Sequence, residues 1–213
     1  MSRRRHHLRE AVKGFLQKGD FSGLAALAGQ KPMVPEILLQ YCYAPDTLLT
    51  WRAMEGLGHV AAAHPGQVRR VINRLLWLLN EDSGSFGWGA AAALGEIARH
   101  QLPLMEDIIS MFCGFLEEEF SLAPMLWGIG RLAEVHPEVL DEVIPFILPG
   151  LRHPDARVRG LSAWCLGRLR VSKAREDLTV LLTDERPVRL YDQGGFVETS
   201  VGLLARQALD ALG

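Results

Sequence analysis

Tryptophans and charged residues recur at fixed distances from four glycines along the chain. Gly58, Gly95, Gly130 and Gly167 each follow a Leu or Ile and are spaced 37, 35 and 37 residues apart. In a helix, positions seven and three before each glycine and one after it share a face, because steps of four residues stay on nearly the same side. We call this set of positions the indole stripe. It contains Trp51, Glu55, His59, Trp88, Ala92, Glu96, Ala123, Trp127, Arg131, Gly160, Trp164 and Arg168.

The residue types on the indole stripe suit recognition of a partner. Tryptophan and arginine are enriched at binding hot spots. The acidic residues and His59 lie toward one end of the stripe, and Arg131 and Arg168 lie toward the other. This predicts a groove for a peptide of mixed charge, or for an elongated ligand with an anionic end. In the competing interpretation the indoles pack between helices and the charges form a solvated face.

No catalytic or metal-binding constellation accompanies the stripe. Cys165 lies inside an apolar helical pattern, which is typical of a core position rather than a nucleophile. The histidines are spread over several repeats without metal-ligand spacing. The sequence therefore predicts no catalytic residue, no metal and no cofactor, and it favours a protein that is not an enzyme.

Composition indicates the cellular compartment of the protein and its association with nucleic acid or membranes. The three cysteines are far apart and lack C-x-x-C spacing, which favours a reducing compartment. The formal net charge of −2 gives no overall attraction to nucleic acid. We find no apolar signal segment and no run of 18 apolar residues, so the sequence predicts a cytoplasmic protein without a membrane span.

The glycine markers define a tandem repeat, and a period of this size holds two helices and two turns. Glycine in a helix interior costs about 1 kcal/mol relative to alanine, so we expect close approach of the paired helix at each marker. The basic residues 1–7 are expected to form a frayed tail or a weak anion contact. The turn at 81–87, which precedes a helix, is expected to be a flexible turn or an anion site.

Hydrophobic periodicity predicts the helices one by one. The expected spans are 8–18, 21–28, 35–41, 46–64, 67–80, 86–100, 104–119, 123–136, 139–152, 155–171, 174–183 and 199–212. We predict a single repeat domain over 1–213. It comprises N-terminal capping helices at 1–44, regular repeats at 45–182, and a C-terminal hairpin with the final helix at 183–213.

One segment departs from the helical pattern. Residues 188–201 carry β-branched and aromatic residues around Asp192-Gln193-Gly194-Gly195, which predicts a β-hairpin with a four-residue loop. The hairpin is interpreted either as a seal on the end of the core or as a lid over a ligand. The lid residues would be Tyr191, Asp192 and Phe196.

Residues 153–182 resemble the HEAT repeat, in particular the phycobilisome lyase HEAT-like variety. The resemblance is carried by the His153-Pro154-Asp155 turn, the Val158-Arg159 pair, the ladder of Ala163, Leu166 and Gly167, and the apolar helix that follows. It implies an all-α, right-handed HEAT-like solenoid of helical hairpins whose second helices line a concave face. The β-hairpin is similar to one in uncharacterised bacterial HEAT-repeat proteins, which implies no known activity.

Three functions follow from these observations. The preferred one is a binding scaffold that holds a protein or peptide along the groove lined by Trp51, Glu55, His59, Trp88, Glu96, Trp127, Arg131, Trp164 and Arg168. The resemblance to bilin lyases implies an alternative, a tetrapyrrole-handling lyase or chaperone in which Arg131 or Arg168 pairs with propionates. The third is a HEAT-like DNA-repair protein, which the near-neutral charge disfavours.

Overall fold

The structure is a computed structural model that describes residues 2–44, 46–80 and 88–213, without the side chains of Ser2, Arg4 and Trp88. The chain forms two compact units, Met1–Glu106 and Asp107–Gly213. The sequence predicts one domain with three segments, and the segment boundaries after residues 44 and 182 stay a prediction. The predicted turn at 81–87 lies outside the described residues.

The first unit consists of helices. They are α1 (Ser2–Lys18), α2 (Phe21–Gln30), α3 (Val34–Tyr41), α4 (Leu48–Ala63), α5 (Pro65–Asn80) and α6 (Trp88–His100), followed by a 3-10 turn at Leu102–Leu104. The predicted break between the first two helices is confirmed, since Gly19 has a φ of +66° and the Asp20 carboxylate accepts a hydrogen bond from the Gly23 amide. The predicted frayed tail is wrong for residues 2–7, which belong to α1 because no glycine or proline interrupts them.

The second unit is helical with one β-hairpin. Its elements are α7 (Phe112–Glu117), α8 (Glu119–Leu132), α9 (Ile144–Ile147), α10 (Ala156–Arg168), α11 (Arg175–Leu181), β1 (Pro187–Asp192), β2 (Gly195–Ser200) and α12 (Val201–Leu212). Short 3-10 turns occur at Ile109–Met111, Pro137–Val139, Leu148–Arg152 and Ser172–Ala174.

Alternate helices stack side by side within each unit. In the first unit α4 packs between α2 and α6, while α1, α3 and α5 form the other layer. In the second unit α10 packs between α8 and α12. Each helical hairpin thus covers the apolar face of its neighbour, so the predicted all-α repeat architecture with one C-terminal β-hairpin is confirmed.

The marker glycines allow this stacking, although the helix that lies against them differs from the expected one. A Cβ placed on Gly58 of α4 would lie 2.7 Å from the carbonyl oxygen of Glu96 in α6. A Cβ on Gly167 of α10 would lie 2.6 Å from the Cα of Ala208 in α12. Close approach is therefore confirmed at these sites. The helix approached belongs to the next repeat, and the expectation of the paired helix is wrong for them.

Two predicted long helices are broken in the structure. The span 104–119 contains a 3-10 turn and the short α7, and the span 139–152 contains α9 and another 3-10 turn. In the second case Pro145 and Pro149 each lack an amide donor, so neither supports a continuous helix interior.

The β-hairpin is confirmed, but its loop is shorter than expected. Asp192 pairs with Gly195, which leaves Gln193 and Gly194 as a two-residue loop. Their φ values are +46° and +77°. Positive φ at both loop residues is typical of a type I′ turn, which two-residue hairpins favour.

Across the described ranges, no helix combines the length and apolar character that crossing a bilayer requires.

Candidate partner-binding surfaces

Three indoles of the stripe have described side chains, and all three lie in the core, whereas the side chain of Trp88 is outside the described residues. The exposed fractions of Trp51, Trp127 and Trp164 are 2%, 0% and 7%. The expectation that they form open platforms is wrong for these three residues, and the competing interpretation, in which the indoles are packed inside the structure, agrees with their burial. Glu55, Glu96 and Arg131 are also buried, whereas His59 and Arg168 are partly exposed.

In the second unit, two arginines of the stripe and Glu134 form a charged cluster that packs against two indoles. The Arg131 guanidinium lies 5.5 Å from the Trp127 ring centroid, and that of Arg168 lies 4.2 Å from the Trp164 ring. Glu134 forms ion pairs with both arginines, at 3.6 Å from Arg131 Nη1. Buried rings thus hold two guanidinium groups in place, with one carboxylate between them.

Arg168 borders two recesses on this surface. One has a volume of about 520 Å³ and is lined by Ala133, Glu134, Pro137, Arg168, Leu169 and Arg170. The other, of about 220 Å³, is lined by Trp164, Gly167, Arg168, Leu204, Gln207, Ala208 and Ala211. The exposed part of Arg168 is therefore within reach of a ligand group in either recess.

The β-hairpin packs against the same cluster. Trp127 Nε1 donates a 2.8 Å hydrogen bond to the Tyr191 carbonyl oxygen, and the Tyr191 side chain is buried. Asp192 and Phe196 are partly exposed, and Asp192 Oδ1 lies 3.5 Å from Arg131 Nη1. These contacts favour the seal over the lid, and a lid movement of Tyr191, Asp192 and Phe196 stays a prediction.

In the first unit the stripe forms a second polar cluster. Glu96 Oε1 lies 3.1 Å from His100 Nε2 and 3.2 Å from Arg99 Nη1. The His59 ring stacks on Phe21 at 5.0 Å between centroids and lies 4.5 Å from the His100 ring. The buried carboxylate is thus held by neighbours on its own helix. Among the stripe residues of this unit whose side chains are described, His59 is the one that reaches the surface.

A further charged cluster joins α10 to the segment before the hairpin. Arg159 is buried, and its Nη1 donates to the carbonyl oxygens of His153 and Pro154. Its Nε donates to Asp184 Oδ2 at 3.0 Å. Hydrogen bonds from Arg186 and Arg159 lower the pKa of the Asp184 carboxyl to about 2. A recess of about 870 Å³ adjoins these residues. Arg159 Nη2 lies 2.9 Å from Asp184 Oδ2, so the buried charge has its counterion within the cluster, which is a structural role.

The cysteines are not activated. Burial raises the pKa of the Cys42 thiol to about 12 and also raises that of Cys165. Within the described part of the chain, no three His, Cys, Asp or Glu side chains are grouped so that they could hold a metal ion.

An exposed aromatic and basic face lies on α5 and was not predicted. Trp77 is 41% exposed, and it is the one exposed indole among the four whose side chains are described. The Arg74 guanidinium lies 3.7 Å from its ring centroid.

The sequence carries a signal for this face. The residues of α5 at 68, 71, 72, 75, 78 and 79 are apolar and face the core. Trp77 lies instead on the polar side of α5, at helical spacing from Arg70, Asn73 and Arg74. A tryptophan on the polar side of an amphipathic helix is a sign of exposure. The stripe did not include it because it was built on the glycine markers alone.

The layered hairpins define the chain as a helical repeat protein. Residues 123–169, which span α8 to α10, match the family model of the HEAT-like repeat. The fold is similar to that of an engineered protein with a TM-score of 0.58 at 16% identity, over 96% of this chain and 89% of the other.

Two designed armadillo repeat proteins are also similar in fold, each with a TM-score of 0.53. The first is 16% identical over 98% of this chain and 94% of its own. The second, in complex with the peptide (KR)4, is 15% identical over 95% of this chain and 99% of its own.

An uncharacterized protein of Archaeoglobus fulgidus is 32% identical over 182 residues, which cover 83% of this chain and 96% of that protein. This chain belongs to the same protein family.

Proposed function

We propose that the protein is a non-catalytic scaffold that binds a protein or peptide partner, and that the surface around Arg168 is a contact site. The proposal rests on one observation above all. Arg168 is stacked on Trp164, paired with Glu134 and bordered by two recesses that can accept side chains.

This surface suits a peptide of mixed charge. Arg168 and Arg170 offer guanidinium groups to a carboxylate, while Glu134 offers an acceptor to a basic side chain. Because Trp164 fixes the Arg168 side chain, less rotamer entropy is lost when a partner binds. Asp192 and Phe196 would form the rim on the hairpin side. In the first unit, His59 would be the part of the stripe within reach.

The fold supports the same function. A designed armadillo repeat protein of similar fold holds the peptide (KR)4. Layered helical repeats expose long surfaces that are suited to extended segments. Of the alternatives considered, tetrapyrrole handling and DNA repair, neither gains support from a specific contact in the described residues.

A panned peptide library tests the proposal. Phage-displayed random peptides would be selected on the purified protein, and binding of the selected peptides would be titrated against Arg168→Ala and Glu134→Ala. We expect at least one peptide whose affinity falls about tenfold in Arg168→Ala. Arg206→Ala is the matched control, since Arg206 is an exposed arginine on α12. Selection of no peptide, or only of peptides insensitive to both Arg168→Ala and Glu134→Ala, would contradict the proposal.

A further inference from the structure

The outer face of α5 combines an exposed indole with unpaired positive charge. Arg69, Arg70 and Arg74 are exposed, and none forms an ion pair with a described residue. Arg74 is held on the Trp77 ring, which fixes one side of its guanidinium. Its remaining N–H groups stay available for a carboxylate, the acceptor that fits a guanidinium in a bidentate pair.

A small recess adjoins this face. It has a volume of about 270 Å³ and is lined by Glu36, Leu39, Gln40, Tyr43, Arg70, Val71 and Arg74. Leu39 and Val71 supply apolar side chains to the recess. The Arg74 Nε donates a 3.2 Å hydrogen bond to the Tyr43 hydroxyl, which fixes the guanidinium at the edge.

A third helix adds positive charge. Arg9 of α1 donates a 2.7 Å hydrogen bond from Nη2 to Gln40 Oε1, at the wall of the recess. Arg70 and Arg74 thus line the recess and Arg9 is bound to another lining residue, while the lining contains one carboxylate, that of Glu36. The charge of this face is complementary to an acidic partner, in contrast to the net charge of −2 of the whole chain.

We propose that the α5 face, defined by Arg69, Arg70, Arg74, Trp77 and the adjoining recess, binds an acidic peptide segment. Carboxylates of the segment pair with Arg70 and Arg74, and an apolar side chain of the segment occupies the recess over Leu39 and Val71. The recess is the size of a side chain and its lining combines two aliphatic residues, Leu39 and Val71, with polar ones. A peptide that carries an apolar side chain beside its carboxylates can use both parts of this lining, whereas a nucleic-acid backbone offers no group for the aliphatic part. This site shares no residue with the surface around Arg168, and it does not depend on that proposal.

The test uses the full chain and a fluorescein-labelled peptide, Gly-Glu-Glu-Phe-Glu-Glu-Gly, followed by fluorescence anisotropy. We expect saturable binding that weakens as salt rises and falls at least about tenfold in the double variant Arg70→Glu/Arg74→Glu. The same peptide without its label should change the tryptophan fluorescence of the wild type. That change should be lost in Trp77→Phe, because Trp77 is the exposed indole next to the bound carboxylates.

Matched controls separate this site from general charge effects. Arg206→Glu introduces the same kind of charge reversal on α12 and should leave affinity within about twofold. The peptide with glutamine in place of glutamate should not bind. Circular dichroism verifies that the variants are folded.

Three results would overturn the inference. They are no binding of the acidic peptide, binding that is equal in the double variant, and tighter binding of a single-stranded oligothymidine than of the peptide. The last result would assign the face to nucleic acid.

Discussion

At the residue scale, the three cysteines differ in what surrounds their sulfur atoms. Cys42 and Cys165 are fully buried, whereas Cys113 is partly exposed. We expect a thiol reagent such as DTNB to modify one thiol in the native protein and three in denaturant. Partial burial, with help from Glu142 and Glu117, raises the pKa of Cys113, so its reaction should accelerate as pH increases. Cys113→Ser should abolish the native reaction; fast modification of the other two would contradict the packing described for them.

Gly167 gives a second prediction at this scale. Gly167→Ala places a methyl group against the backbone of Ala208, which cannot move aside as a flexible side chain would. We expect the free energy of unfolding to fall by about 1–3 kcal/mol in urea denaturation. Gly114→Ala is the control, because a Cβ there meets no atom within 4 Å. It should be neutral or stabilise by up to about 1 kcal/mol. Equal effects of the two substitutions would show that the α10 and α12 backbones are farther apart than described.

At the element scale, Asp184 links α10 to the hairpin segment through Arg159. Its pKa is lowered in the folded state, so it contributes stability above the pKa of an unfolded aspartate, about 3.9. That contribution is lost as pH falls from about 4 toward 2. At neutral pH, Asp184→Asn leaves the buried Arg159 without its counterion and should destabilise by about 3 kcal/mol.

The measurement is urea denaturation of wild type and Asp184→Asn at several pH values. The difference in unfolding free energy between the two proteins should be largest near neutral pH and shrink toward pH 2 as the wild-type carboxyl is protonated. A difference independent of pH would show that the carboxylate charge is not what stabilises this junction.

The hairpin gives another prediction at this scale. Trp127→Phe removes the Nε1 donor and with it the hydrogen bond to the carbonyl oxygen of the buried Tyr191. We expect a loss of about 1–3 kcal/mol in unfolding free energy. Val197→Thr, on the exposed side of β2, is a control and should change stability little. If both substitutions had the same small effect, the hairpin would not be anchored at Trp127.

Individual elements show which parts of the fold were predictable. The glycine markers and apolar spacing predicted α4, α5, α6, α8 and α10, because local periodicity fixes which face a helix buries. The predicted continuous helix at 139–152 is broken because Pro145 and Pro149 interrupt a segment whose apolar spacing alone is that of a helix. Burial of the indoles was one of the two interpretations of the stripe, but the hydrogen bond from Trp127 to the hairpin was not predictable, because its partner Tyr191 lies more than 60 residues later along the chain. The exposure of Trp77 was predictable from its place among Arg70 and Arg74.

At the scale of the whole molecule, the chain divides into two compact units. The second unit has its own buried residues, including Phe112 and Phe115 of α7 and Trp127 of α8. We expect a fragment of residues 107–213 to unfold cooperatively in urea, followed by the fluorescence of Trp127 and Trp164. A fragment of residues 119–213 lacks α7, which packs on α8, and should be much less stable. A gradual transition for the longer fragment would show that the unit does not fold by itself.

The outward side of α12 has a consequence for assembly. Leu203, Arg206, Gln207 and Asp210 are exposed there. A helix of another copy that approached this side would meet these bulky and charged groups, and burying them would remove their bound water. Docking of a second copy against this side of α12 is therefore opposed, whereas Gly58 and Gly167 let neighbouring helices inside the chain approach closely.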